Sequence, residues 1–369
     1  MSERPRLLMV GRGRYHLPLA GTLALRFDAL EEVVEFRAMG TRVNEGDDPR
    51  FELAPRRGGP FEGLFHHLLL PVRVRRQIRD FKPDAVLVQG AHETALVLLG
   101  RRLALRRAKV IADVHGDWRS VTRLYGSPLR RLLDPVADAF ARYGIRHADG
   151  IRTVSGYTTR IVREEGREPT AVFPAYMDLR PFLAPPQTLP PVQRVLFVGV
   201  LEAYKAIDVL ALAWRVVTKR VPEAQLHLVG RGSRAEIVQK LVRDLPGQTQ
   251  WTEQLDAAGV ASALDDAVLL LLPSRSEGMG RVIVEALCRG RPVLGSEVGG
   301  IPDLVRDGEN GVLVPPGDAR ALAEAIEALL TDRPRLEALA ADARPSADPW
   351  LATPQEWAQR VRELVEALR

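Results

Sequence analysis

Residues 267–287 read Ala267-Val268-Leu269-Leu270-Leu271-Leu272-Pro273-Ser274-Arg275-Ser276-Glu277-Gly278-Met279-Gly280-Arg281-Val282-Ile283-Val284-Glu285-Ala286-Leu287. The unbroken apolar run 267–272 predicts a strand buried on both faces, as in a parallel sheet covered by helices. Pro273 to Glu277 then form a turn, and a helix starts near Gly280. Strand, turn and glycine-flanked helix start put free backbone N–H groups and the positive end of a helix dipole at the carboxyl end of a parallel strand. That is where open α/β sheets bind ligands, and it predicts a diphosphate site. Glu277 and Glu285 stand eight residues apart across it. Eight helical residues rise roughly 12 Å, so the two carboxylates can reach hydroxyls at opposite ends of an elongated ligand. Two solvated glutamates are the plain alternative.

Outward from this segment the chain alternates strands and helices. Strands are predicted at Arg6 to Val10, Asp84 to Gln89, Lys109 to Val114 and Asp149 to Ser155, with helices over Ala95 to Arg106 and Tyr157 to Glu165. Gly11-Arg12-Gly13 is expected to turn the chain after the first strand, but no G-x-G-x-x-G follows, so a dinucleotide fingerprint is not supported. The run Ala184-Pro185-Pro186-Gln187-Thr188-Leu189-Pro190-Pro191 predicts a stiff extended linker. A second series follows it: strand Arg194 to Val198, helix Ile207 to Lys219, strand Gln225 to Val229 and helix Ser233 to Val242. The pattern predicts an α/β protein of two tandem Rossmann-like units with parallel sheets. A last helical pattern runs through Trp357, Val361, Leu364, Val365 and Leu368.

At 369 residues the chain suits two domains, and 46% hydrophobic with 27% charged residues is an ordinary globular balance. No apolar run reaches transmembrane length and Met1 to Pro5 carry no signal-type core, so a cytoplasmic protein is expected. The single cysteine, Cys288, excludes an intramolecular disulfide and reads as core packing. No His/Cys cluster has metal-ligand spacing: His66 and His67 diverge by about 100° on a helix, and His227 reads as a core residue. Residues 1–180 hold 31 Lys/Arg against 22 Asp/Glu, a balance of +9, while the remainder balances at −4. A basic first half suggests an anionic partner or a high-Arg composition. Arg73, Arg75, Arg76, Arg79 and Lys82, led in by Leu68-Leu69-Leu70, would suit an anionic membrane surface or a solvated helix face. No aromatic-interleaved basic tract points to nucleic acid.

The series Glu277-Gly278-Met279-Gly280-Arg281-Val282-Ile283-Val284-Glu285, Arg291-Pro292-Val293-Leu294, Gly299-Gly300-Ile301-Pro302-Asp303, Asp307-Gly308-Glu309-Asn310-Gly311 and Pro315-Pro316-Gly317-Asp318 resembles the donor-site signature of retaining family 4 glycosyltransferases of GT-B fold. Phe197-Val198-Gly199 through Lys205 to Leu210 is similar to that family's first donor motif. The resemblance implies a GT-B fold with an acceptor-side domain over 1–183, a linker over 184–193 and a donor domain over 194–348. The C-terminal helix, 349–369, would pack back on the first domain, with the sheets facing an interdomain cleft.

It further implies a nucleotide-sugar donor, a hydroxyl acceptor and retention of anomeric configuration. No cofactor and no metal are expected, in keeping with the absence of any Asp-x-Asp. Lys205 would neutralise the leaving group and Gly199 would let the diphosphate approach the backbone. Gly230, Arg231, Glu277, Gly278, Met279, Gly280, Arg281, Val282 and Glu285 would bind the donor, with Trp251 to Asp256 bordering the base. His115 would meet the sugar, with Asp117 and Trp118 shaping the acceptor pocket. Ser155 and Gly156 match a strand-end serine of the family, and a helix N-cap accounts for Ser155 equally well. Val200 and Ala206 depart from the family's usual arginine and glycine, and Phe173 to Asp178 replaces its Pro-Asn-Gly-Val-Asp. Arg281 or Arg231 would supply the missing cation. Two alternatives stay open: a sugar-nucleotide epimerase on the same fold, and a non-catalytic basic binding module.

Overall fold

The computed structural model of the protein describes residues 4–55, 62–119 and 134–369. The chain divides into two compact units, Met1–Met177 with Ala352–Arg369, and Asp178–Leu351.

The first unit holds a seven-stranded sheet. In chain order its strands are β1 (Arg6–Tyr15), β2 (Glu35–Arg42), β3 (Phe51–Ala54), β4 (Ala85–Gln89), β5 (Lys109–Val114), β6 (Gly150–Thr153) and β7 (Ala171–Val172). All recorded pairings are parallel, in the order β3-β2-β1-β4-β5-β6-β7. Successive residues of β1 feed opposite faces, as the twofold period of a strand requires. Leu7 packs with Phe27, Leu30, Phe36 and the C-terminal helix Pro354–Glu366. Leu8 and Val10 pack with Leu70, Val74 and Ile78 of the helix Glu62–Phe81. The C-terminal helix starts at a reciprocal cap between Thr353 and Glu356 and buries Trp357, Val361, Leu364 and Val365.

The glycines Gly11 and Gly13 do not turn the chain: β1 continues through them to Tyr15, with a register break against β2 between Val10 and Arg14. Their lack of a side chain serves close packing instead, because a Cβ at Gly13 would meet the Tyr15 ring at 2.8 Å.

The second unit holds six parallel strands in the order β10-β9-β8-β11-β12-β13. They are β8 (Arg194–Val198), β9 (Gln225–Val229), β10 (Thr249–Thr252), β11 (Leu269–Leu272), β12 (Val293–Ser296) and β13 (Gly311–Val314). β11 is fully buried, as its apolar run predicts. Cys288 is also buried, on the helix Arg281–Cys288. The proline-rich segment after residue 183 lies within this unit and is held by arginines. Arg289 donates to the Ala184 carbonyl (3.0 Å), Arg291 to that of Gln187 (2.8 Å), and Arg333 to those of Leu189 and Pro190 (2.7 and 2.8 Å).

In each sheet the strand order reverses once, between β1 and β4 and between β8 and β11. At such a break the connections leave in opposite directions and open a crevice at the carboxyl ends of the strands.

Candidate active site

At the β8–β11 break, strand β8 is followed by Gly199, whose N–H donates to the Val229 carbonyl at 3.0 Å. A Cβ at Gly230, which sits at φ +149°, would collide with the Gly199 carbonyl. Glycine is therefore required where these two strand-end loops touch. A single 3-10 turn, Ala203–Lys205, leads into the helix Ile207–Arg220. Lys205 is buried, its Nζ donates to a carboxylate oxygen of Glu277, and it lies 5.3 Å from the centre of the Tyr204 ring. The structure thus joins two site candidates that lie 72 residues apart in the chain.

Glu277 is fixed through its backbone. Its carbonyl accepts from Gly300 N–H at 2.9 Å, and side chains at Gly299 or Gly300 would strike the Glu277 and Gly278 carbonyls. Gly280, at φ +76°, precedes the helix Arg281–Cys288. Met279 and Val282 are buried. Glu285 lies on that helix with its side chain 16% exposed, and burial raises its pKa against the opposing pull of Arg281. Arg281 is 58% exposed on its side chain and stands 4.0 Å from Glu285; Arg231 and Val200 are also exposed.

Trp251 donates its indole N–H to the Gly230 carbonyl at 2.8 Å, and Asp256 caps the helix Ala257–Asp265. His227 is hydrogen-bonded to Thr252 at 2.9 Å, and burial lowers its pKa, as befits a core histidine.

Arg275 is a residue the sequence reading missed. Its backbone N–H donates to the Tyr204 carbonyl (2.7 Å) and its guanidinium to the Ala203 carbonyl (3.0 Å). A bidentate pair with Asp208 (2.8 and 2.7 Å) completes the contact. Arg275 therefore staples the turn that carries Lys205. The signal available in sequence was weak: an arginine two residues before Glu277 and an aspartate in the first turn of a helix.

At the β1–β4 break, His115 follows β5 and its Nε2 bonds Asp113 Oδ2 at 2.9 Å. Asp113 Oδ1 accepts from Arg152 at 2.7 Å. Burial opposes ionisation of Asp113, yet Arg152 and His115 hold its pKa down to about 2. Arg152 also donates to the Phe173 and Pro174 carbonyls (3.1 and 2.8 Å). Asp117 accepts from Arg119 Nε (2.9 Å) and from the Tyr157 hydroxyl (3.1 Å), and burial and that carboxylate push Tyr157 up to about 12. Trp118 is buried. Ser155 caps the helix Gly156–Glu164 through a reciprocal pair with Thr158.

His67 lies 3.4 Å from Glu93, and its ring is near perpendicular to that of His66. Among the described residues no group of three or more His, Cys, Asp or Glu is placed to hold a metal ion. Among the same residues no helix is long and apolar enough to cross a membrane.

Residues 192–332 match the family described as glycosyl transferases group 1, and residues 11–175 match the glycosyl transferase 4-like domain. The sulfoquinovosyl transferase SQD2 of Arabidopsis thaliana is 33% identical over 153 residues, 41% of this chain and 29% of that protein. A GDP-mannose-dependent alpha-(1-6)-phosphatidylinositol monomannoside mannosyltransferase of Mycolicibacterium smegmatis is 27% identical over 301 residues, 76% of this chain and 77% of its own length. The matched stretch spans between 29% and 40% of the length of the first three curated relatives. Among solved structures, sucrose-phosphate synthase from Thermosynechococcus elongatus superposes with a TM-score of 0.77 at 22% identity, covering 99% of this chain and 100% of that one. Anabaena Alr3699/HepE, crystallised with UDP-glucose, gives 0.69 at 17% identity over 97% and 99% of the two chains. These two likenesses establish the fold: two Rossmann-like domains of the GT-B class.

Proposed function

From the premise that the chain belongs to the group 1 glycosyltransferases, we propose that it transfers a hexose from a nucleoside-diphosphate sugar to a hydroxyl acceptor, with retention and without a metal ion. The observation that carries this reading is the buried contact of Lys205 with Glu277 beside the N-terminus of the helix Arg281–Cys288. On this reading the ammonium and the free N–H groups after Gly280 stabilise the departing diphosphate. Preorganised charge of that kind is usually the largest catalytic term. Glu277 and Glu285 bind hydroxyls of the donor, and Arg281 is free to swing from Glu285 toward phosphate in place of the arginine that Val200 lacks. The acceptor oxygen bonds to the anomeric carbon as the carbon–phosphate oxygen bond breaks, and its proton passes to the departing phosphate oxygen. No protein base is needed. His115, oriented by Asp113, meets a hydroxyl of the transferred sugar.

The test is calorimetric titration with UDP, GDP, ADP and TDP and their common sugars, followed by product analysis without acceptor. Binding of one nucleotide series, with at most slow hydrolysis, is expected. Donor interconversion would identify an epimerase, and indifference to every nucleotide would end the enzymatic reading.

We further propose peripheral attachment to anionic membrane through the helix Glu62–Phe81. Leu68 and Val72 are 63% and 58% exposed there, beside exposed Arg75 and Arg76. Leu68→Asp should abolish co-flotation with anionic liposomes, and equal flotation of neutral and anionic vesicles would remove the charge component.

A further inference from the structure

A pocket at the carboxyl end of the first unit's sheet is walled by Tyr15, Arg26, Gln89, Asp113, Arg152 and Trp357, among others. Its charges do not cancel. Asp113 is the one carboxylate among its lining residues, and both of its oxygens are engaged, one by Arg152 and one by His115. Arg26 is left with aromatic partners: its guanidinium lies 4.4 Å from the Phe27 ring centre and 5.5 Å from that of Trp357. Burial disfavours the charged form of Arg26, and the nearby guanidinium of Arg152 adds a smaller repulsion, against the opposing pull of Tyr15 and Asp113. Tyr15 stays a neutral donor because burial raises its hydroxyl pKa.

Hydrogen bonding is also incomplete. Arg26 Nε, Arg152 Nε and the Trp357 indole N–H are buried with no hydrogen-bond partner. They come from the helix Gly21–Val33, from β6 and from the C-terminal helix, three elements meeting at one pocket. Buried donors are nearly always paired in folded proteins, and an unpaired cation out of water is costly to keep. A packing role alone would be met at lower cost by an apolar side chain in place of Arg26. A ligand bearing negative charge would offset the surplus of guanidinium over carboxylate in this pocket.

We propose that this pocket binds an anionic group, phosphate or carboxylate, carried by the hydroxyl acceptor, with Arg26 and Arg152 as its principal contacts. The word acceptor rests on the transferase reading above; the anion site does not.

The experiment uses the full-length protein and three probes at matched ionic strength: glycerol 3-phosphate, glycerate and glycerol. Binding is read by calorimetry for the wild type, Arg26→Met, Arg26→Lys and Lys205→Met, the last to silence phosphate binding at the β8–β11 break. The expected result is that at least one charged probe binds, glycerol does not, and the wild type and Lys205→Met behave alike. Arg26→Met should weaken that binding about tenfold or more, and Arg26→Lys should retain part of it. Should Arg26→Met fail to fold, Arg26→Lys and the salt dependence of binding carry the test. The proposal is overturned if glycerol binds as well as the anions, if no charged probe binds, or if binding is unchanged in the Arg26 variants. Loss in Lys205→Met alone would place the anion at the other site and overturn it too. A chain that ignores every nucleotide yet binds a charged probe through Arg26 keeps this pocket and loses the transferase reading; the reverse result loses the pocket alone.

Discussion

At the β8–β11 break the polar groups come from two short runs, residues 199–208 and 275–285, whereas at the β1–β4 break they are drawn from elements scattered between Tyr15 and Trp357. The first arrangement is held by loop contacts that tolerate only glycine and by the Arg275 staple. The second is held by the core itself, since Asp113 and Arg152 are buried strand residues and Trp357 belongs to the last helix. The two therefore respond differently to substitution. Changing a group at the β8–β11 break should alter chemistry with little loss of fold, while changing one at the β1–β4 break should alter both.

The largest effect should follow Lys205→Ala. Removing a preorganised cation from a developing diphosphate charge is expected to lower kcat by about 10²–10³-fold. Asp117→Ala, at the other break, should cost far less in kcat, because Asp117 is tied to Arg119 and Tyr157 rather than to the leaving group. Steady-state rates for the two variants, with the donor that calorimetry identifies, decide the matter. Equal losses would erase the distinction between a catalytic and a structural break.

Second in size is the acid sensitivity of the first unit. The Asp113 pKa is depressed to about 2 in the folded protein, so its ionised form is bound more tightly folded than unfolded. The resulting stabilisation is fully present above the ordinary aspartate range near pH 4. It is lost as pH falls through about 2, and amounts to roughly 2 kcal/mol. Urea midpoints between pH 5 and pH 2 should fall more steeply for the wild type than for Asp113→Asn. Parallel curves would mean that the Asp113–Arg152 pair carries no net stability and that the β1–β4 break is not core-held. Arg152→Met provides a sharper probe, because it leaves a buried carboxylate with only His115; a loss of about 3–5 kcal/mol is expected at pH 7.

The same contrast explains what could be read from the chain. Strands β8 and β9 begin and end at their expected residues because strands covered on both faces are continuous apolar runs. β2 and β3 escaped notice: Glu35-Phe36-Arg37-Ala38-Met39-Gly40-Thr41-Arg42 mixes charge with small residues, and β3 has four residues at the sheet edge. Lys205 and Glu277 were legible as candidates because each sits in a contiguous pattern of glycines and apolar residues. Arg275 was not, since its value lies in reaching two carbonyls some 70 residues away. Arg26, Arg152 and Trp357 carry no local signal of a shared site, and only folding brings them to one pocket.

The smallest effect tests whether the staple, rather than the local backbone, positions Lys205. Ala206 adopts φ +52° directly after the lysine, a left-handed conformation that favours glycine. Relief of the Cβ clash in Ala206→Gly should recover roughly 1–2 kcal/mol. Against this stand a methyl group that is fully buried in the second unit's core, worth about 0.8 kcal/mol, and about 0.5–1 kcal/mol of added chain entropy in the unfolded state. The terms nearly cancel, so stability should stay within about 1 kcal/mol of wild type. Because Arg275 grips the turn at Ala203 and Tyr204, upstream of the substitution, donor affinity should also hold. If calorimetry instead finds donor binding weakened by about tenfold in Ala206→Gly but unchanged in Arg275→Met, the backbone at residue 206 is what aims the lysine. The β8–β11 break would then owe its geometry to one strained residue rather than to the arginine staple.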